Sequence, residues 1–360
     1  MNKTINDSKQ LQFLRFLAFL LIFIYHTGDY QFAWFPQENG AANAVEFFIL
    51  LSGVVSGISS FDKDIKCSAK DIVSYMKKKI VKVYPLYFIT TVFTITYTTI
   101  PAMIAYHDFS AIKVFLGQVL QLIKNLLLIQ SWFPTNYFSY NGVGWFLSTI
   151  MFLYIINIPL RALATRIRKF QKPEMIFTFV FVGAYLLTWI YCYLTRNTNM
   201  EYTQYVLPAS RVWEYMCGMA LGYLICYIKR KIVCNNWVTV LFSVLEILAL
   251  GLWIYNMYTP VQGWRFRITH WITMNIFLIL VFSIGQGVVS SLFRLKIFRY
   301  LGDISFECFL LHQIVIYLYR TFSGVGAVSV LGNVFSISFC LIFIVMVASF
   351  ISDCSKNNKH

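Results

Sequence analysis

Charge is scarce in this chain. Asp, Glu, Lys and Arg make up 12% of its 360 residues, about half the share found in a soluble domain. Patterns that hold metals or disulfides are missing as well. The eight cysteines (Cys67, Cys192, Cys217, Cys226, Cys234, Cys308, Cys340 and Cys354) form no CxxC pair and no Cys/His cluster. Most fall in apolar runs or on the side where thiols stay reduced, so neither a metal site nor a disulfide framework is expected. No internal repeat is present. No gap between apolar runs reaches 40 residues, which leaves no room for a soluble domain. The first apolar run is long and lacks a small-residue cleavage site, so it reads as a retained helix rather than a signal peptide.

What is abundant is apolar and aromatic: 58% hydrophobic residues, with 34 Phe and 23 Tyr. The apolar stretches recur at lengths near the ~20 residues that cross a bilayer as a helix. The expected fold is therefore all-α: one polytopic membrane domain over residues 1–360. Ten spans are expected, at 11–30, 42–60, 81–105, 143–162, 174–194, 209–228, 237–257, 268–288, 300–319 and 327–351. The net charge of +15 invites a nucleic-acid reading, but its distribution rejects one. With the N-terminus inside, inner segments hold 22 of the 30 Lys and Arg and outer segments hold 6; Arg15 and Arg211 lie within spans. This asymmetry is the positive-inside pattern and puts both termini in the cytoplasm.

One connection has its own pattern. "AIKVFLGQVLQLIKNLLLIQ" (residues 111–130) is apolar at 112, 115, 116, 119, 120, 123, 126 and 127, and polar at 113, 117, 118, 121, 124 and 125. That helical period with one apolar face fits an interfacial or partly re-entrant helix.

Arg15 and His26 bracket the run "RFLAFLLIFIYH". Eleven residues make three helical turns plus about 20°, so both side chains share one face, about 16 Å apart along the axis. An ionisable residue within a membrane must face protein or a water-filled cavity and points to function. The plainer alternative is that Arg15 snorkels to the interface and His26 ends the helix. Glu46, in "VEFFILLSG" (45–53), lies at about the depth of His26. Either Glu46 or Asp29 could orient the imidazole as a general base, or Glu46 could simply face water. In that same run, Ser52-Gly53 lets a neighbouring helix approach closely. Lys77, Lys78, Lys79 and Lys82 precede Tyr84-Pro85. Lys79 and Lys82, one turn apart, suit a polyanion such as a nucleotide phosphate; topology setting and anionic lipid are the alternatives.

These patterns, taken in order, resemble the integral-membrane acyltransferases known as acyltransferase family 3. The family's arginine and histidine, with ten residues between them, match Arg15 and His26. Its "VDLFFVLSG" matches "VEFFILLSG", with Glu46 as the acid. Its Arg-x-x-Arg before Ile-x-Pro matches "KIVKVYP", with Lys79 and Lys82 in the basic places. Trp145-Phe146-Leu147 matches a "Trp-Phe-Leu" opening, "RVWEYMCGMALG" (211–222) an Arg-x-x-Glu run, and "YLGDISFECFLLHQIVI" (300–316) a Leu-Gly-x-Ser…His signature. There are departures. Lysines replace both arginines at 79 and 82, which loses the guanidinium fork. The glutamate that many members carry five residues after the tryptophan is Ile150 here.

The resemblance implies a membrane O-acyltransferase in the bacterial cytoplasmic membrane. It would move acetyl from cytoplasmic acetyl-CoA, a co-substrate rather than a bound cofactor, to a hydroxyl of a surface glycan or lipid-linked sugar. His26, with Glu46, would be catalytic; Arg15, Lys79 and Lys82 would bind the donor. Trp145, Arg211, Glu214, Ser305 and His312 would serve the acceptor or support the site. For two of these the residues leave plainer roles open: a core histidine bonded to a carbonyl for His312, and a structural ion pair for Arg211 and Glu214. The rival reading is a polysaccharide exporter or flippase without acyl chemistry.

Overall fold

The computed structural model describes residues 8–28, 35–100, 110–259, 261, 268–322 and 334–357. Among them every regular element is a helix: α1 (Gln10–Thr27), α2 (Gln37–Ser60), α3 (Ala69–Thr94), α4 (Ser110–Leu126), α5 (Gly144–Ile167), α6 (Pro173–Leu194), α7 (Val212–Lys231), α8 (Asn236–Tyr258), α9 (Ile268–Ile284), α10 (Val288–Phe293), α11 (Lys296–Asp303), α12 (Ser305–Phe322) and α13 (Val334–Asn357). A helix stands at each of the ten expected spans. Seven are long and apolar enough to cross a membrane on that measure alone, and α11 with α12 makes an eighth if the bent pair is one span. The other two are α7, which carries Glu214 and three terminal basic residues, and the 17-residue α9. Both pack against other helices, which relieves them of the need to be apolar all round. The chain is an all-α polytopic membrane protein.

Local chemistry sets the helix ends. α1 stops at Gly28, whose φ of 63° places it in the left-handed region while its N–H bonds Tyr25 O, as a C-terminal glycine does. α3 starts twelve residues before the expected span. Ser68 and Asp71 form a reciprocal capping box there, and the good helix formers that follow extend the helix through the lysines. Lys77–Lys82 therefore project from a helix rather than from a loop. The expected ninth span is bent by 59° between α11 and α12.

α2 runs through the centre and is mostly buried, whereas α8 is mostly exposed on the lipid-facing outside. α2 and α7 meet through glycines. A Cβ on Gly53 or Gly57 would strike the backbone of residues 215–223, and one on Gly218 or Gly222 would strike that of residues 50–58. The two Gly-x-x-x-Gly faces thus bring backbone against backbone. α4 turns its polar side inward: Gln121 and Asn125 are buried and bond Ser139 Oγ at 2.6 and 3.0 Å, while Leu116, Leu120 and Ile123 are exposed.

Candidate active site

His26 occupies the last turn of α1, and α12 supplies its surroundings. The His26 ring lies 5.0 Å from that of His312, tilted by 44°. The Gln313 amide nitrogen stands 3.3 Å from His26 Nε2 and 3.4 Å from Nδ1, so it donates to whichever ring nitrogen is unprotonated. Arg320 donates to the carbonyls of Thr27 (2.9 Å) and His26 (3.4 Å). These carbonyls end α1 and have no partner within the helix, and a cation is favoured beside them. His312 is fully buried, and its Nδ1–H donates to Phe309 O at 2.7 Å. That bond fixes the tautomer and leaves the lone pair on Nε2.

His26 borders a cavity of about 290 Å³ shared with Tyr97, Tyr140, Asn141, Gln313, Tyr317 and Arg320. This is the lower end of the size range of small-molecule sites, ~300–1,000 Å³. The Asn141 amide donates to Thr90 Oγ1 (3.0 Å) and Leu310 O (3.3 Å), and its buried Oδ1 has no partner among the described residues. Tyr140 has φ 58°, a conformation that costs a side-chain-bearing residue about 1–3 kcal/mol and gathers at functional sites. Its hydroxyl donates to Gln118 O at 2.8 Å, and burial pushes its pKa up. The mouth is aromatic and polar, with His26 as its candidate base.

Arg15, partly exposed, lies toward the other end of α1 and donates to Gln12 Oε1 at 2.8 Å. Lys79 joins it: the Lys79 ammonium is 4.6 Å from the centre of the Tyr154 ring and 5.3 Å from that of Tyr75, and it lies within the electrostatic reach of Arg15. Lys82 points elsewhere, into a groove of about 630 Å³ with Lys77, Lys78 and Glu307. The pair expected to face the same way is thus divided between two neighbouring sites.

Glu46 corrects an expectation. The structure does not bring it to His26. Its two carboxylate oxygens face Arg211, at 2.5 and 3.1 Å, and Glu214 meets the same guanidinium at 2.8 Å. All three are buried. The reason is electrostatic: a carboxylate sealed in the bundle needs a full cation, which Arg211 supplies and a neutral imidazole cannot. Asp29, the other expected partner, lies outside the described residues.

Ser305 is buried and donates to Gly302 O (2.7 Å) at the α11–α12 bend. The Trp145 ring packs against Tyr205, centroids 4.8 Å apart, and against Phe138. Neither borders the His26 cavity.

A family model described as an acyltransferase domain matches residues 8–353. The chain belongs to acyltransferase family 3. No curated protein and no solved structure is significantly similar to it. As a family-3 acyltransferase, it carries residues that sequence reasoning passed over. Gln313 directly follows His312, and Arg320 lies two turns further along that face. Tyr154 and Arg161 stand seven apart on α5, a polar stripe in an apolar helix that could have been seen.

Proposed function

We propose that this membrane acyltransferase is an O-acetyltransferase. It moves acetyl from cytoplasmic acetyl-CoA to a hydroxyl of a bacterial cell-surface polysaccharide or of its lipid-linked precursor. The observation that carries this reading is the division of labour along α1. His26 borders a cavity lined by tyrosines, Asn141 and Gln313, suited to the faces and hydroxyls of a sugar. Arg15 and Lys79 stand among cations toward the other end, suited to the phosphates of CoA. His26 takes the acceptor proton as the hydroxyl oxygen attacks the thioester carbonyl. The imidazolium then returns that proton to the departing thiolate, so the C–O bond forms as the C–S bond breaks. Gln313 yields the unprotonated ring nitrogen to the acceptor hydroxyl before that step.

The test compares surface glycan from cells with and without the gene, before and after mild base. Loss of a base-labile acetate in the deletion is expected. Loss of polymer with unchanged acetylation would mean export instead.

A further inference from the structure

Three cations from three helices converge near Tyr154: Arg15 of α1, Lys79 of α3 and Arg161 of α5. Tyr154 and Tyr75 meet edge to face, their centroids 6.0 Å apart at 89°, and the Lys79 ammonium lies over both rings. Arg15 is within electrostatic reach of Tyr154, and Lys79 is repelled by Lys82 first, then by Arg161 and Arg15. Tyr154 and Arg161 are seven residues apart on α5, so they present one face. Between them, buried Asn157 fixes the wall. Its amide donates to the Tyr75 hydroxyl at 2.8 Å, and its Oδ1 accepts from the Tyr215 hydroxyl at 2.8 Å and from Ser56.

Arg161 reaches Ser59 Oγ at 3.4 Å, and its buried Nε has no partner among the described residues. Among those residues no carboxylate forms an ion pair with Arg15, Lys79 or Arg161. The nearest acids that Arg15 senses, Glu307 and Asp303, act at longer range. All five residues of the cluster are partly exposed. Like charges gathered in a bundle repel strongly where the dielectric is low. A bridging anion turns that cost into attraction.

We infer that Arg161 is the third member of a phosphate clamp: with Arg15 and Lys79 it holds the pyrophosphate of the acyl-CoA donor against the Tyr75–Tyr154 wall. This rests on the acyl-CoA reading and adds to it a residue outside the motifs that suggested that reading. Two guanidiniums supply planar forks for phosphate oxygens, and the lysine supplies a point charge. Lys77 and Lys78 stay outside the clamp, and Lys82, whose charge Lys79 feels, turns its side chain to the neighbouring groove. All three are exposed and line that groove, where water and salt screen them.

The test is CoA binding to the detergent-solubilised protein by calorimetry, with inorganic pyrophosphate as competitor. Arg161→Gln and Lys79→Gln are each expected to weaken CoA at least tenfold, Lys77→Gln less than threefold, and Arg161→Lys to recover part of the loss. The ligand-free Arg161→Gln protein is expected to melt no lower than wild type, because it has lost a repulsion; a residue that only braced the helices would lower it. CoA affinity in Arg161→Gln within threefold of wild type overturns the clamp, as does an equal loss in Lys77→Gln. Should Arg161→Gln fail to fold, Arg161→Lys against Lys77→Gln makes the comparison: a loss larger in Arg161→Lys keeps the clamp, and an equal or absent loss overturns it. Pyrophosphate binding with this pattern of sensitivity, but no CoA binding, would keep the clamp and remove CoA as the donor.

Discussion

His26 and Arg15 should fail differently. Their axial separation of about 16 Å is too long for one acetyl group to touch both. His26→Ala is expected to lower kcat by about 10²–10⁴, the usual loss for a general base, with no rescue by excess donor. Arg15→Ala is expected to raise the apparent KM for acetyl-CoA, with partial rescue at high donor, because it removes binding rather than a transition-state contact. Donor titration in membranes, read as acetyl transfer to added glycan, separates the two; identical kcat defects with donor affinity untouched would sink the two-ended picture. These residues were legible because a charge in an apolar run stands out, and helical spacing gives its face. Their partners were not. Gln313 and Arg320 reach His26 from a helix almost 300 positions away, and nothing local announces that packing. Glu46 was misread for a related reason. Depth in a span is readable from hydropathy, but azimuth is not, and azimuth turns Glu46 toward Arg211.

At the scale of elements, α2 and α7 form a close joint. Four glycines bring their backbones together, and Arg211 of the turn before α7 clasps Glu46 of α2 and Glu214 of α7. Removing the cation alone leaves two carboxylates buried without compensation, so Arg211→Met is expected to destabilise by about 3–5 kcal/mol. Replacing the whole triad with Glu46→Leu, Arg211→Met and Glu214→Leu is expected to recover most of that loss, because an apolar cluster of similar volume has no desolvation to offset. Thermal unfolding in detergent, followed by a thiol-reactive dye, reads both. A triple variant no more stable than the single one would assign the triad a role beyond holding two helices. The ten helices themselves were visible in hydropathy, and Ser52-Gly53 already signalled a close approach. The early start of α3 was hidden by its lysines, which read as loop charge although Ser68 and Asp71 cap a helix. The bend at Ile304 left no proline or glycine at the break itself to mark it.

At the scale of the whole molecule, the direction of transfer depends on which side of the membrane each end of α1 faces. With cytoplasmic acetyl-CoA as the proposed donor, the Arg15 end is expected to open inward and the His26 end toward the acceptor. The distribution of Lys and Arg predicts the same orientation. The chain carries its own reporters. Cys67, before α3, Cys234, between α7 and α8, and Cys354, near the end of α13, are exposed, while the other five cysteines are buried. Counting basic residues puts all three exposed thiols on the cytoplasmic side, with Arg15. The connection between α4 and α5, which includes exposed Thr135, falls on the opposite side, with His26. In intact spheroplasts, a membrane-impermeant maleimide carrying a polyethylene glycol tag is expected to leave the wild-type protein unshifted on a gel. After permeabilisation it should add up to three tags. The Thr135→Cys variant should take one tag in intact spheroplasts, which shows that the reagent reaches the outer face. Buried thiols stay silent in both conditions, so the count reads orientation rather than unfolding. Tagging of the wild-type protein in intact spheroplasts would invert the bundle. The phosphate-suited cluster would then face away from CoA, and the acetyl-CoA reading would fall with the orientation.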